Sequence, residues 1–208
     1  MFMNPKTPQI LHLRLPKGMV LTEQQLIEFT QINHKRVETV FEDDYFTLII
    51  DLMGNFSKAT LFTAQLMAEL IIWNRQKLLG KVYSETQMYR VKEHTYRECD
   101  TSFVAFAQVS KEKQREWFDK IADEPATLLI EISGNKVNAK IDLAKTIELW
   151  IPFGTKYVLV LDLEEEKWHF FDGNIHYTNH SFSQKFVAPS DLPDLILDFE
   201  EIAENCGF

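Results

Sequence analysis

Asp100 and Glu131 stand where carboxylates are costly. Asp100 opens onto the apolar run Phe103-Val104-Ala105-Phe106, and Glu131 ends the run Thr127-Leu128-Leu129-Ile130 inside LLIEIS. A buried carboxylate is strongly destabilising unless it is paired or hydrogen-bonded. If neighbouring strands bring the two acids together, mutual repulsion raises the pKa of one of them. A divalent cation between them removes the conflict, and Mg²⁺ suits carboxylates, a backbone carbonyl and retained waters. A centre of this kind can hydrolyse a phosphodiester, because the cation polarises the phosphoryl oxygen and lowers the pKa of a bound water. The reaction also uses positive charge near the nucleophile or the developing negative charge. The helix after Glu131 offers two lysines, Lys140 and Lys145. At about 100° per residue, Val137, Ile141, Ala144 and Ile151 mark its expected buried face, with Lys145 at the edge and Lys140 nearer the middle. Periodicity leaves the choice between them open.

The elements that must position these residues read as follows. LTEQQLIEFTQIN begins at a candidate N-cap, Thr22, with Leu26, Ile27 and Phe29 in its body. RVETVFEDDYFTLIIDLM predicts two strands around the acidic turn Glu42-Asp43-Asp44. NFSKATLFTAQLMAELIIWNRQKLLG predicts a long helix, with apolar residues at 62, 66, 70 and 73 and Gly80 as its C-cap. KVYSETQMYRV alternates as a strand does, and DTSFVAFAQ is a strand entering the core. A short polar helix begins at Ser110. ATLLIEIS is apolar almost throughout and is expected to be a central strand buried on both faces. VNAKIDLAKTIELWI predicts an amphipathic helix. KYVLVLDLEEEKWHFFDGNIHYTNH predicts two or three antiparallel strands, with turns at Glu164-Glu165-Glu166 and Asp172-Gly173-Asn174. PSDLPDLILDFEEIAE closes with a loop and a short helix. This order predicts an α/β (α+β) fold with a mixed central sheet flanked by helices.

The 208 residues are 45% hydrophobic and 25% charged, which predicts one globular domain with a substantial core. A net charge of −9 argues against a surface coated with phosphate-binding lysines, although a local basic patch can coexist with an acidic remainder. The two cysteines, Cys99 and Cys206, lack metal-ligand spacing and point to a reducing, cytoplasmic setting. Cys99 reads as a small buried residue. MFMNPKTPQI shows no signal-peptide pattern. LFTAQLMAELIIW is only 13 residues long and holds Gln65 and Glu69, so it is too short and too polar to span a bilayer. The six histidines show no ligand spacing.

The ordered set IIWNRQKLLGKVYSETQMYRV, YRECDTSFV, REW, LLIEIS, DLAK, IELW and KYVLVLD resembles the Uma-type restriction-endonuclease-like family of the PD-(D/E)xK nuclease superfamily. The resemblance covers roughly residues 22 to 200. It implies a restriction-endonuclease-like core over 36–200, preceded by an N-terminal extension and helix over 1–35, in a single domain spanning 1–208. It also implies that Asp100 and Glu131 are catalytic and hold the metal, with the backbone carbonyl of Ile132. Ser133 stands two residues after Glu131, where the superfamily commonly has lysine, so Lys145 takes the place of the helix lysine of the family. Ser133 would line the same site, Gln65 or Glu69 on the long helix would complete it, and Lys140 is the alternative cation. Cys99 stands where the family has proline, SGNK replaces its Ser-Pro, and Trp150 stands where tyrosine is common.

The expected function is a Mg²⁺- or Mn²⁺-dependent endonuclease cutting phosphodiester bonds in DNA, with a homodimer as the natural way to cut two strands. The alternative is a nuclease-fold protein that binds or interacts without cleaving. The direction of Lys145 discriminates them: inward to the acids for the enzyme, outward to solvent for the binding module.

Overall fold

The computed structural model describes residues 9–14, 22, 24–25, 37–42, 45–50, 56–93, 95–118 and 120–208. In chain order these form β1 (Gln9–Arg14), β2 (Val37–Glu42), β3 (Tyr45–Ile50), α1 (Phe56–Lys77), β4 (Gly80–Ser84), β5 (Met88–Lys92), β6 (Thr95–Glu98) and β7 (Thr101–Ala105). There follow α2 (Lys111–Glu116), β8 (Leu128–Ser133), α3 (Lys136–Lys145), a π-turn over Thr146–Trp150, α4 (Ile151–Phe153), β9 (Tyr157–Asp162), β10 (Lys167–Asp172) and β11 (Tyr177–Ser181). A short pair, β12 (Phe186–Val187) and β13 (Ile196–Leu197), precedes α5 (Phe199–Asn205). At the expected first helix, Thr22 and Gln25 form a capping box. Gln25 N donates to Thr22 Oγ1 at 3.2 Å, and Thr22 N donates to Gln25 Oε1 at 2.9 Å. The body of that helix, with Leu26, Ile27 and Phe29, lies outside the described residues, as do Asp43, Asp44 and most of the 1–35 extension.

Six strands build the central sheet in the order β11-β10-β9-β8-β7-β4. β8 and β9 run parallel, and the other neighbours are antiparallel. Every residue of β8 and β9 is buried, as their continuous apolar runs require of strands covered on both faces. α1 covers one face, setting Phe62, Leu66, Leu70 and Trp73 against Phe103, Leu128, Ile130 and Leu159. The other face holds Val104, Leu129, Val158 and Val160 under Trp150, Tyr89 and Trp117. A second, antiparallel sheet has the order β1-β3-β2-β6-β5. KVYSETQMYRV therefore divides between two sheets, β4 in one and β5 in the other. The chain returns to the central sheet between β6 and β7, where only Cys99 and Asp100 join the two sheets. Among the described residues, no helix is long and apolar enough to cross a membrane.

Gly80 and the inward face of α3 depart from what the sequence predicts. Gly80 does not cap α1. The left-handed residue after the helix is Leu78, with φ 54°, and Asn74 closes the turn by accepting from the N–H groups of Leu79 and Gly80 at 3.1 and 3.2 Å. Gly80 instead opens β4, where a Cβ would lie 2.2 Å from the carbonyl oxygen of Val104. The inward face of α3 also differs. Val137 and Ile141 are 44% and 39% exposed, and Ala144 is exposed as well. The inward stripe runs instead through Ala139, Thr146 and Trp150, which are buried, and Asp142 and Leu143, which are half-buried. The polar partners on β8 orient this helix, and the π-turn shifts the register of everything after Lys145.

Candidate active site

The β7–β8 ladder ends with Thr101 opposite Ile130, so one further rung places Asp100 alongside Glu131. There the carboxylate takes over from the main chain. Asp100 Oδ2 accepts from the Ile132 N–H at 2.5 Å, a charge-assisted bond that fixes the acid at the strand end. The same bond shows that the Ile132 N–H is directed to the β7 side. Strand geometry sends its carbonyl to that side too.

Alternation along β8 turns Leu128, Ile130 and Ile132 towards α1 and sends Glu131 and Ser133 to the opposite face. Glu131 is 3% exposed. Its Oε1 accepts from Trp150 Nε1 at 2.7 Å and meets Lys145 Nζ at 3.0 Å. Lys145 is buried along its stem, and its ammonium lies 5.6 Å from the centroid of the Trp150 ring. Ser133 Oγ donates to Asp142 Oδ2 at 2.5 Å. Strand and helix thus match in pairs, Glu131 with Lys145 and Ser133 with Asp142. Two strand residues span about 6.7 Å and three helical residues about 4.5 Å, close enough for both contacts to form together.

Local sequence sets this match. Asn135 caps α3, accepting from the N–H groups of Val137 and Asn138 at 3.0 Å each. The helix therefore starts within three residues of β8 and lies back over it. The π-turn then carries Trp150 fully into the core, where its ring meets Tyr89 edge-on at 5.9 Å. π-turns inside helices gather at functional sites.

Cys99 is buried beside this group. Burial pushes its thiol well above the ordinary range, the Glu131 charge adds to the shift, and Lys145 and a hydrogen bond with Ser102 partly offset it. A thiol held protonated is no nucleophile, and Cys99 is the small buried residue expected.

Asp100, Glu131, Ile132, Ser133 and Lys145 thus meet at one end of the β7–β8 pair. Lys140 is exposed, and the inward lysine is Lys145. Gln65 and Glu69 are half-buried on α1, which packs on the other face of the sheet from Glu131. Among the described residues, no group of three or more His, Cys, Asp or Glu side chains gathers into a cation site. Trp150 and Asp142 were given no site role by the sequence. Asp142 lies three residues before Lys145, and that shared helical face was a usable signal. Trp150 occupies a position where the family commonly has tyrosine, but helical periodicity gives no signal for its contact with Glu131, because the π-turn breaks the period.

The architecture is a mixed α/β fold whose central mixed sheet is flanked by helices, the arrangement of a nuclease-like fold. Among solved structures the chain is similar to one from Anabaena variabilis ATCC 29413 described as a "putative nuclease belonging to DUF820". The TM-score is 0.60 at 11% identity, covering 81% of this chain and 90% of that one. At that identity the likeness shows a shared fold. No family model and no curated protein matches the sequence.

Proposed function

We propose that this protein is a divalent-metal-dependent endonuclease of the Uma-type, PD-(D/E)xK kind, hydrolysing phosphodiester bonds in DNA. The observation that carries the reading is the buried Glu131–Lys145 pair beside Asp100 at the end of β7 and β8. The donor set fits the metal: two carboxylates and the Ile132 carbonyl are all hard oxygen ligands, as Mg²⁺ and Mn²⁺ prefer. Bound there, the cation would polarise a phosphoryl oxygen and supply a more acidic water. The residues of the chain do the rest. The Ile132 N–H holds Asp100, and the Trp150 indole holds Glu131, so neither carboxylate needs to reorganise. Lys145, anchored by Glu131 and the Trp150 ring, orients the attacking water and stabilises charge on the scissile phosphate. A homodimer would present two such sites to the two strands of a duplex.

Plasmid cleavage with Mg²⁺ and with Mn²⁺ tests the proposal. Wild type should nick or linearise DNA, and Asp100→Asn and Glu131→Gln should each lose more than about 100-fold in rate, since a metal supplies several kcal/mol of charge stabilisation. A wild-type protein that neither cleaves nor gives calorimetric heat with Mn²⁺ would sink the reading. The net charge of −9, Cys99 in place of the family's proline and SGNK in place of its Ser-Pro favour, as the second reading, a binding module that does not cleave. Oligonucleotide binding unaffected by metal, in a protein that takes up no Mn²⁺, would establish the binding module instead.

A further inference from the structure

Lys81 lies on β4, the edge strand of the central sheet. Its Nζ is buried and, among the described residues, has no hydrogen-bond partner. It sits 4.6 Å from the centroid of the Phe118 ring, while Phe118 itself is 71% exposed. Burial, and then the charges of Arg115 and Lys111, hold the ammonium below its ordinary pKa. A desolvated cation with Arg115 and Lys111 near it is unfavourable for the fold. An anion would supply the missing partner.

The cavity beside Lys81 measures about 670 Å³. Arg75 and Lys120 add positive charge to its wall, Glu98 is an acid on the same wall, and Tyr83, Trp117 and Phe118 are its aromatic residues. It wraps around the sheet edge from α1 to the turn after α2. It also adjoins the proposed site. Ser84, at the end of β4, pairs with Thr101, the residue after Asp100, and Thr101 Oγ1 donates to the Tyr83 carbonyl at 2.9 Å. Two strand spacings, about 10 Å, separate β4 from β8, and Lys81, opposite Val104, lies four residues, about 13 Å, further along the strands than Asp100. In a chain of net charge −9, such a local cluster is where a polyanion can land. Cations tracking a backbone beside an exposed aromatic platform are the combination that holds single-stranded nucleic acid.

We propose that this edge cavity binds an unpaired, single-stranded segment of the nucleic acid that flanks the duplex being cut, with Lys81 holding a backbone phosphate and Phe118 stacking a base. The assignment rests on the nuclease reading. Rotation of the exposed Phe118 ring off the ammonium opens Lys81 to the phosphate and turns the ring to the base.

The test is fluorescence anisotropy of a short labelled oligothymidylate with the full chain in EDTA, over a series of NaCl concentrations. Phe118→Ala should weaken binding about 5- to 150-fold, the range for losing one base stack. Lys81→Met keeps the apolar stem and should lower the slope of log K against log salt by about 0.7, one phosphate contact on a single strand. Lys81→Met removes a buried ammonium that has no hydrogen-bond partner among the described residues, so its thermal midpoint should be unchanged or higher. If both variants bind as wild type does, with the same salt slope, the cavity is not the site. Plasmid cleavage separates the two ideas. A wild type that cleaves, with variants that bind and cleave normally, overturns the cavity and leaves the nuclease standing. Variant-sensitive binding in a wild type that cleaves nothing keeps the cavity and overturns the nuclease.

Discussion

Replacing Lys145 by Met strips the cation from a carboxylate that has almost no contact with water. The two charges are 3.0 Å apart, with side-chain exposures of 11% for Lys145 and 4% for Glu131. At an effective dielectric of about 20, their attraction is about 5.5 kcal/mol before desolvation is counted. The net value of such a pair is far smaller, because both ions were taken out of water. The asymmetry is what can be measured. Lys145→Met leaves Glu131 buried without the ammonium that faces it and should cost about 3–5 kcal/mol. In a chain of this size that lowers Tm by roughly 6–20 °C. Adding Glu131→Gln removes the stranded charge while retaining an Oε1 that accepts from Trp150. The double variant should therefore recover to within about 1 kcal/mol of wild type. Urea unfolding of the four proteins, followed by tryptophan fluorescence, closes the cycle. The double variant should be well folded and inactive in plasmid cleavage, which separates the stabilising part of the pair from its chemistry. A single-variant cost below about 1 kcal/mol, or a coupling near zero, would refute the buried pair, since only exposed ion pairs behave that way.

Two further outcomes follow from the packing. Gly80→Ala places a Cβ 2.2 Å from the Val104 carbonyl oxygen and 2.6 Å from the Phe103 ring, so β4 must move off β7; a loss of at least about 2 kcal/mol in urea unfolding is expected, and an unchanged midpoint would show that the strand edge is not tightly apposed. His169 is buried and its pKa is lowered from 6.5, chiefly by burial, with Asp162 opposing and Lys167 and His180 adding to the shift. Between the folded value and 6.5 the unfolded chain binds more protons, so stability rises with pH through that window, is complete above it, and is lost as pH falls through the folded value. Unfolding midpoints measured from pH 7.5 down to 5 should show this slope in wild type and a flatter one in His169→Phe; identical slopes would count against a buried neutral imidazole.

The sequence alone determined the parts whose physics is local or one-dimensional. LLIEIS reads as a central strand, because a continuous apolar run has no face to offer water, and it is buried throughout; YVLVLD reads only as one of two or three antiparallel strands, and its parallel pairing with LLIEIS came from the tertiary structure. The 62, 66, 70 and 73 spacing could only be the buried stripe of a helix, and all four residues lie in the core. Asp100 and Glu131 announced themselves as acids needing a partner. Where two elements meet, the tertiary structure decided. Gly80 looked like a helix cap, but it is required by the backbone of β7, 24 residues further along the chain at Val104. The apolar period of Val137 and Ile141 points to the wrong face of α3, because bonds to Ser133 and Glu131 outrank it. That choice turned Lys145 inward and left Lys140 in solvent. Trp150 reached Glu131 through a π-turn that no α-helical spacing contains. Register between elements depends on partners distant in sequence, and composition and periodicity carry no record of it.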